Sequence, residues 1–156
     1  MSERVAIEGV EVLRLATFPD RRGFFREICR TDDPFFAPGV AQFSHSLMHS
    51  GVVKAWHLHR LQTDWWYVGS GVVLLGLCDL REASSTYRAV DEILLGDHQA
   101  AVCVKIPPGV AHGCRALQGP ASLFYLQDRA YDPDDVVKLP LDHPEIDFDW
   151  TVKADH

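Results

Sequence analysis

The run VVLLGLCDL, residues 72–80, is the sequence feature that most constrains the fold. It is almost wholly apolar, which is typical of a strand covered on both faces. It belongs to a longer strand-like stretch, 65–80, which forms one strand or two strands joined around Gly69 and Gly71. A chain with such a strand must pack other layers of secondary structure against both of its sides.

Strand signals dominate the remaining chain, and helical periodicity is confined to two short segments, 30–36 and 90–95. We predict the other strands over 5–15, 52–59 and 100–106 and in the two arms of a hairpin around Gly119-Pro120, 111–117 and 121–128. This pattern predicts an all-β sandwich or barrel with short helical segments. The length of 156 residues predicts a single domain, 1–156, with its core over about 5–150.

Charge and composition exclude several classes of function. The formal net charge of −7 argues against binding to a nucleic-acid polymer, which needs a basic surface. No apolar run approaches the roughly 18 residues that a membrane span requires, and the N-terminal residues do not resemble a signal peptide. None of the 4 cysteines belong to a C-x-x-C pair, and we expect them to be reduced thiols. We therefore expect a cytoplasmic protein that does not bind membranes.

Two histidines in the predicted strand 52–59 are the first candidates for chemistry. Alternate residues of a strand share a face, so His57 and His59 point the same way. Such a pair could hold a metal ion, take a proton from a substrate or simply pack. The stretch reads G-x5-H-x-H-x4-D-x6-G over 51–71, with Asp64 as its acidic residue, and a P-x-G-x-x-H motif ends at His112.

These two motifs resemble those of the cupin superfamily. The resemblance implies a cupin-type double-stranded β-helix, a jelly-roll barrel. Further segments narrow the resemblance to one family within this superfamily. In order along the chain they are FPDRRGFFRE (18–27), QFSHS (42–46), VKAWHLH (53–59), DLR (79–81), IPPGVAHG (106–113) and YLQDRAYDP (125–133). Over roughly residues 5–150, their order and spacing resemble the dTDP-4-dehydrorhamnose 3,5-epimerase family and its relatives among sugar-nucleotide epimerases and isomerases.

The resemblance implies proton transfer next to a ketone, without a cofactor. His57 stands at the position of the catalytic base, and an imidazole suits that role. Tyr125 matches the tyrosine that returns a proton to the other face of the sugar. Lys54 stands where the family has an arginine, and its charge would stabilise the enolate.

The same resemblance implies the ligand and its other contacts. The ligand would be a small nucleotide-linked 4-keto-6-deoxy sugar, with dTDP as the nucleotide, used in polysaccharide or glycosylated-metabolite biosynthesis. A homodimer is also implied, because in relatives the partner subunit contributes to the site. Besides Lys54, the residues that match substrate-binding positions are Arg22, Phe25, Glu27, Gln42, His112 and Tyr131.

Departures from the family pattern support a second hypothesis. His59 replaces a glutamine and Asp64 replaces a lysine, and both changes add metal ligands. Together with His57 and His112 they would bind one divalent transition metal and catalyse oxygenase, isomerase or lyase chemistry. The family's aspartate that pairs with the base has no evident counterpart, and Asp64 is a candidate substitute. Loss of that aspartate also fits a third hypothesis, a non-catalytic sugar-binding cupin.

Two geometric expectations follow for the candidate site. Lys54 and His57 are three apart, so they share one face only if their strand is bulged or the site straddles an edge. If Gly119-Pro120 is a two-residue turn, Cys114 lies opposite Tyr125. Tyr125 and His112 then project from the same face and line the same wall.

Overall fold

The computed structural model describes residues 2–151, and it is built almost entirely from strands. The strands are β1 (Ser2–Arg4), β2 (Glu11–Arg14), β3 (Thr17–Asp20), β4 (Gly23–Arg26), β5 (Gln42–Met48), β6 (Val53–His59), β7 (Asp64–Asp79), β8 (Val90–Gly96), β9 (Val102–Ile106), β10 (Val110–Gln127) and β11 (Val136–Lys138). The helical structure within 2–151 is a single 3-10 turn, Pro34–Phe36. In this part of the chain there is no helix with the length and apolar character needed to cross a membrane.

A 9-stranded sheet, ordered β1-β2-β9-β7-β10-β6-β11, forms the body of the molecule. β5 joins it through β10, and β8 joins it through β7, while β3 and β4 form a separate hairpin. The two long strands β7 and β10 run antiparallel along their whole length at the centre of this sheet. The curled sheet is the cupin-type jelly-roll barrel expected from the sequence.

β7 is covered on both faces, as its apolar run predicts. One face supplies Val73, Leu75 and Leu77 to the main core of the barrel. The opposite face supplies Leu74 and Cys78 to a second core around the fully buried Trp56. The segment that follows β11 closes this second core with three apolar side chains, those of Ile146, Phe148 and Trp150.

The helix predicted over 90–95 is wrong, because this segment is strand β8. Exposed and less exposed residues alternate along it, and it pairs with residues 72–78 of the apolar run in β7. The helix predicted over 30–36 is reduced to its last residues. There the Asp33 carboxylate caps the 3-10 turn by accepting a hydrogen bond from the Phe35 amide at 2.9 Å.

The hairpin predicted around Gly119-Pro120 is also wrong. Residues 110–127 are one strand, and both halves pair with β7 on the same side. Cys114 therefore lies opposite Leu75, and Tyr125 lies opposite Trp66. The sequence Gly119-Pro120 marks an irregularity in the register near 116–122, where Gly71 packs against the backbone of β10.

Candidate active site

A cavity of about 290 Å³ opens on the inner side of β6 and β10. Its wall contains three histidines, two lysines, two tyrosines and one aspartate, together with smaller and apolar residues. The lining residues are Ser46, Lys54, His57, His59, Asp64, Trp66, His112, Gly113, Cys114, Leu123, Tyr125, Gln127, Tyr131, Val136 and Lys138. Five of the nine predicted catalytic and binding residues are therefore brought together here: Lys54, His57, His112, Tyr125 and Tyr131.

His57 lies at the middle of a row of side chains that crosses three strands. On one side its cross-strand partner is His112 of β10, and on the other side it is Lys138 of β11. Residues directly opposite each other on neighbouring strands project from the same face of the sheet. The two histidines and the lysine therefore share the wall of the cavity.

A bulge in β6 places Lys54 on this wall as well. His57 pairs with His112 and Lys54 pairs with Cys114, so three steps along β6 match two steps along β10. Gly113 allows the strands to meet there, because a Cβ atom on it would lie 2.9 Å from the Cα atom of Ala55. Lys54 and His57, three residues apart, therefore share one face because their strand is bulged.

Burial of its imidazole lowers the pKa of His57, and the positive charge of Lys138 adds to that effect. The charge of Asp64 acts in the opposite direction without reversing it. Among residues 2–151, no carboxylate forms an ion pair with His57, so Asp64 does not take the place of the family's pairing aspartate.

Asp64 instead belongs to a buried polar cluster beside His57. Its Oδ1 accepts a hydrogen bond from Gln62 Nε2 at 2.6 Å, and its Oδ2 accepts one from Trp66 Nε1 at 3.3 Å. The Nε2 atoms of His59 and His112 lie 3.8 Å and 3.7 Å from Oδ2. The rings of these two histidines stack with their centroids 5.7 Å apart.

This cluster has the donor set of a metal site. His59, Asp64 and His112 each offer one ligand atom, and these atoms lie within 4.8 Å of one another. The Nδ1 atom of His112 lies 3.1 Å from the carbonyl oxygen of Val110, which can only accept a hydrogen bond. In a neutral ring, Nε2 then presents its lone pair to the cluster. Three of the four predicted ligands fit a metal, while His57 lies outside the group.

Tyr125 reaches the cavity from the second half of β10. Burial, followed by the nearby Asp64 charge, raises the pKa of its phenol, so the group stays protonated at neutral pH. The ring of Trp66 lies beside it, with centroids 6.4 Å apart, and also meets His112 edge-on at 5.3 Å. The expected shared wall of Tyr125 and His112 is present, although the register predicted for it was wrong.

Four predicted binding residues do not line this cavity within one chain. Arg22 forms a 2.6 Å ion pair with Asp20 in the β3–β4 hairpin. Phe25 is 63% exposed on the same hairpin, and Glu27 pairs with Arg30 at 3.4 Å. Gln42 acts indirectly, since its Oε1 accepts a hydrogen bond from the backbone amide of Tyr131 at 2.8 Å.

Lys138 and Ser46 line the cavity but were missed by sequence reasoning. Lys138 follows an acidic, proline-containing segment that looked like a surface loop, and nothing in its local pattern places it beside His57. Ser46 could have been found from the alternation of β5, because residues 42, 44 and 46 share a face.

Comparisons with known proteins identify the family of this chain. Residues 4–156 match the family described as dTDP-4-dehydrorhamnose 3,5-epimerase. The spore coat polysaccharide biosynthesis protein SpsL of Bacillus subtilis is 37% identical over 150 residues, which are 94% of this chain and 98% of that protein. The probable low-salt glycan biosynthesis epimerase Agl13 of Haloferax volcanii is 31% identical, over 94% of this chain and 96% of that one.

A solved structure agrees as well. The dTDP sugar isomerase of Desulfovibrio desulfuricans G20 superposes with a TM-score of 0.88 at 28% identity, covering 95% of this chain and 94% of that one. The match therefore extends over nearly the whole chain in both sequence and structure. This protein belongs to the dTDP-4-dehydrorhamnose 3,5-epimerase family and is an enzyme of the isomerase class.

Proposed function

We propose that this protein epimerises or isomerises a nucleotide-linked 4-keto-6-deoxy sugar, with dTDP as the nucleotide, by proton transfer through an enolate and without a cofactor. The observation that carries the proposal is the placement of His57 and Tyr125 in one cavity, on different strands. Family membership and the sugar-related roles in the names of the relatives support the substrate class.

His57 is the base in this proposal. A histidine can take a proton from a carbon next to a ketone only when its imidazole is neutral and close to that carbon. The lowered pKa keeps the imidazole of His57 neutral at physiological pH. Removal of the proton moves the electron pair of the C–H bond into the carbonyl group, which leaves an enolate and an imidazolium. A positive charge beside the oxygen lowers the energy of this intermediate, and Lys54 is one cation in the cavity.

Tyr125 is the acid that returns a proton to carbon. Its raised pKa keeps the phenol protonated until the enolate forms. Delivery to the face opposite His57 inverts the carbon centre, and transfer to a different atom of the enolate would isomerise the sugar instead. The phenolate and the imidazolium then exchange protons with solvent before the next turnover.

A homodimer completes the ligand site in this proposal. The hairpin with Arg22 and Phe25 does not reach the cavity of its own chain, and Phe25 and neighbouring Phe24 are 63% and 59% exposed. Exposed aromatic side chains at this density are typical of an interface. If the partner subunit contributes this hairpin, the Arg22 guanidinium would bind the diphosphate and Phe25 would cover the nucleobase of the ligand.

The test is solvent exchange at carbon. A dTDP-linked 4-keto-6-deoxyglucose incubated with the protein in D2O is expected to take up deuterium next to the ketone, as followed by mass spectrometry. His57→Ala and Tyr125→Phe are expected to lose this exchange, while His49→Ala, at an exposed histidine outside the cavity, keeps it. Unchanged exchange in the first two variants would sink the proposal.

The cluster of His59, Asp64 and His112 favours a second candidate function, that of a metal-dependent cupin enzyme. The fit rests on two imidazole nitrogens and one carboxylate oxygen that lie within 4.8 Å of one another. A divalent transition metal held there would act as a Lewis acid on a substrate oxygen. Family membership favours the cofactor-free reaction over this candidate, and it argues against the non-catalytic sugar-binding hypothesis.

A further inference from the structure

Lys138 lines the cavity, and the chemistry proposed above assigns it no role. It lies directly opposite His57 in the pairing of β11 with β6, so the two side chains leave the sheet on the same face. Cβ atoms in such pairs are about 4.5–5.5 Å apart. The chain thus places a flexible cation within reach of the space immediately in front of His57.

The charges around the cavity leave this cation without an obvious structural purpose. The Asp64 carboxylate is occupied by Gln62, Trp66 and the two neighbouring imidazoles. Among the described residues, the Lys138 ammonium group makes no hydrogen bond or ion pair, and Lys138 lines the cavity.

Lys54, the other lysine of the wall, is placed differently. Its Nζ atom donates a hydrogen bond to Ser46 Oγ at 3.0 Å, which directs it toward β5. Because the bulge makes three steps of β6 span two steps of β10, Lys54 lies about 7 Å from His57 along the strand, farther than a residue directly opposite it. An enolate oxygen is only two bonds from the carbon that loses its proton, so the cation that stabilises it must be near the base.

We propose, building on the function proposed above, that Lys138 contacts the keto oxygen of the sugar and stabilises the enolate formed by His57. Lys54 then serves the diphosphate of the same ligand. No bond to Lys138 forms or breaks, because its ammonium group acts through charge and a hydrogen bond. A cation that meets charge only as it develops lowers the barrier without tightening ground-state binding.

The experiment compares Lys138→Met, Lys138→Arg, Lys54→Met and Lys105→Met in the deuterium-exchange assay with the dTDP-linked keto sugar. Lys105 is the matched control, because it pairs with Glu11 at 3.6 Å and does not line the cavity. Lys138→Met is expected to lower kcat for exchange by about 10²- to 10³-fold with little change in KM. Lys138→Arg should recover part of kcat, and Lys54→Met should act mainly on KM.

Two results would overturn the inference while leaving the proposed function standing: exchange by Lys138→Met at the wild-type kcat, or a rise in KM alone. Exchange that is absent from the unaltered protein would instead overturn the proposed function and the inference together. Because Lys138 is exposed, its variants are expected to fold, and an unchanged circular dichroism spectrum and Tm would verify this.

Discussion

Lys54 and His57 line the same wall of the cavity because β6 holds one more residue between them than β10 does on its side. The bulge turns a pair that a regular strand would place on opposite faces into neighbours in one site. It depends on a close approach of two strands at Gly113, where a Cβ atom would be 2.9 Å from the backbone oxygen of Lys54.

Gly113→Ala should therefore weaken both the fold and the site. The added methyl group meets backbone, which cannot move aside as the end of a flexible side chain can. We expect a loss of about 1–3 kcal/mol in the free energy of unfolding, measured by urea denaturation, together with slower deuterium exchange. A variant as stable and as active as the original protein would show that the bulge does not need glycine.

The activity should persist to a lower pH than an ordinary histidine would allow. Burial and the Lys138 charge lower the pKa of His57 below its usual value of about 6.5, so the neutral base survives as pH falls through that value. We expect the acid limb of kcat/KM for exchange to have its midpoint below about pH 6.5. A midpoint at or above that pH would contradict the assignment of His57 as a buried base.

Chelation should separate the two candidate functions. If His57 works as a free base, dialysis against a strong chelator leaves deuterium exchange unchanged. If the cluster of His59, Asp64 and His112 holds a catalytic metal, the same treatment abolishes activity, and a divalent transition metal restores it. We expect the first result, and elemental analysis of the protein before and after dialysis accompanies the assay.

The metal content of two variants tests the same question without an activity assay. His59→Ala removes one of the three converging ligand atoms, whereas His57→Ala leaves all three in place. Any metal bound by the cluster should therefore be lost from the first variant and retained by the second.

Shared sites in a dimer can be detected by mixing two damaged proteins. His57→Ala destroys the base, and Arg22→Ala removes an exposed guanidinium of the β3–β4 hairpin. If the hairpin serves the partner's cavity, mixed dimers contain one intact site. After unfolding and refolding together in equal amounts, about a quarter of the original activity should return at low substrate concentration. No gain over the separate variants would indicate that each chain uses its own Arg22.

Trp150→Ala should destabilise the protein strongly. The indole is buried against Trp56, with ring centroids 5.0 Å apart, and against Phe148 at 4.5 Å. Truncation of such a side chain costs about 3–5 kcal/mol. The control is Leu61→Ala, at a leucine that is 59% exposed, where we expect a loss within about 0.5 kcal/mol. Equal losses for the two variants in chemical denaturation would mean that the second core contributes little.

The sequence predicted the barrel because its strongest signals were local. The apolar run of β7 and the strand alternation of His57 and His59 depend only on the period of two in a strand. The resemblance of the ordered segments to one family then indicated how these strands are arranged in the barrel. The segments 90–95 and 111–128 were misassigned because a short apolar segment fits a helix or a strand, and because Gly-Pro fits a turn or an irregular strand.

The composition of the site was less predictable, since it depends on which strands become neighbours. Lys138 enters the cavity only because β11 pairs with β6 in the register that aligns it with His57. Asp64 was a reasonable partner for His57 by sequence distance, yet its side chain meets His59 and His112. Cross-strand register, rather than residue type, decides these contacts.

The second core also affects how a nascent chain can fold on the ribosome. Trp56 is covered by Phe148 and Trp150, which are translated more than half the chain later. Until they emerge, β6 presents a large bare indole on one face while its other face carries the unassembled wall of the cavity. The enzyme therefore acquires its site late in synthesis, and its half-made form is a candidate client for chaperones that recognise exposed aromatic surface.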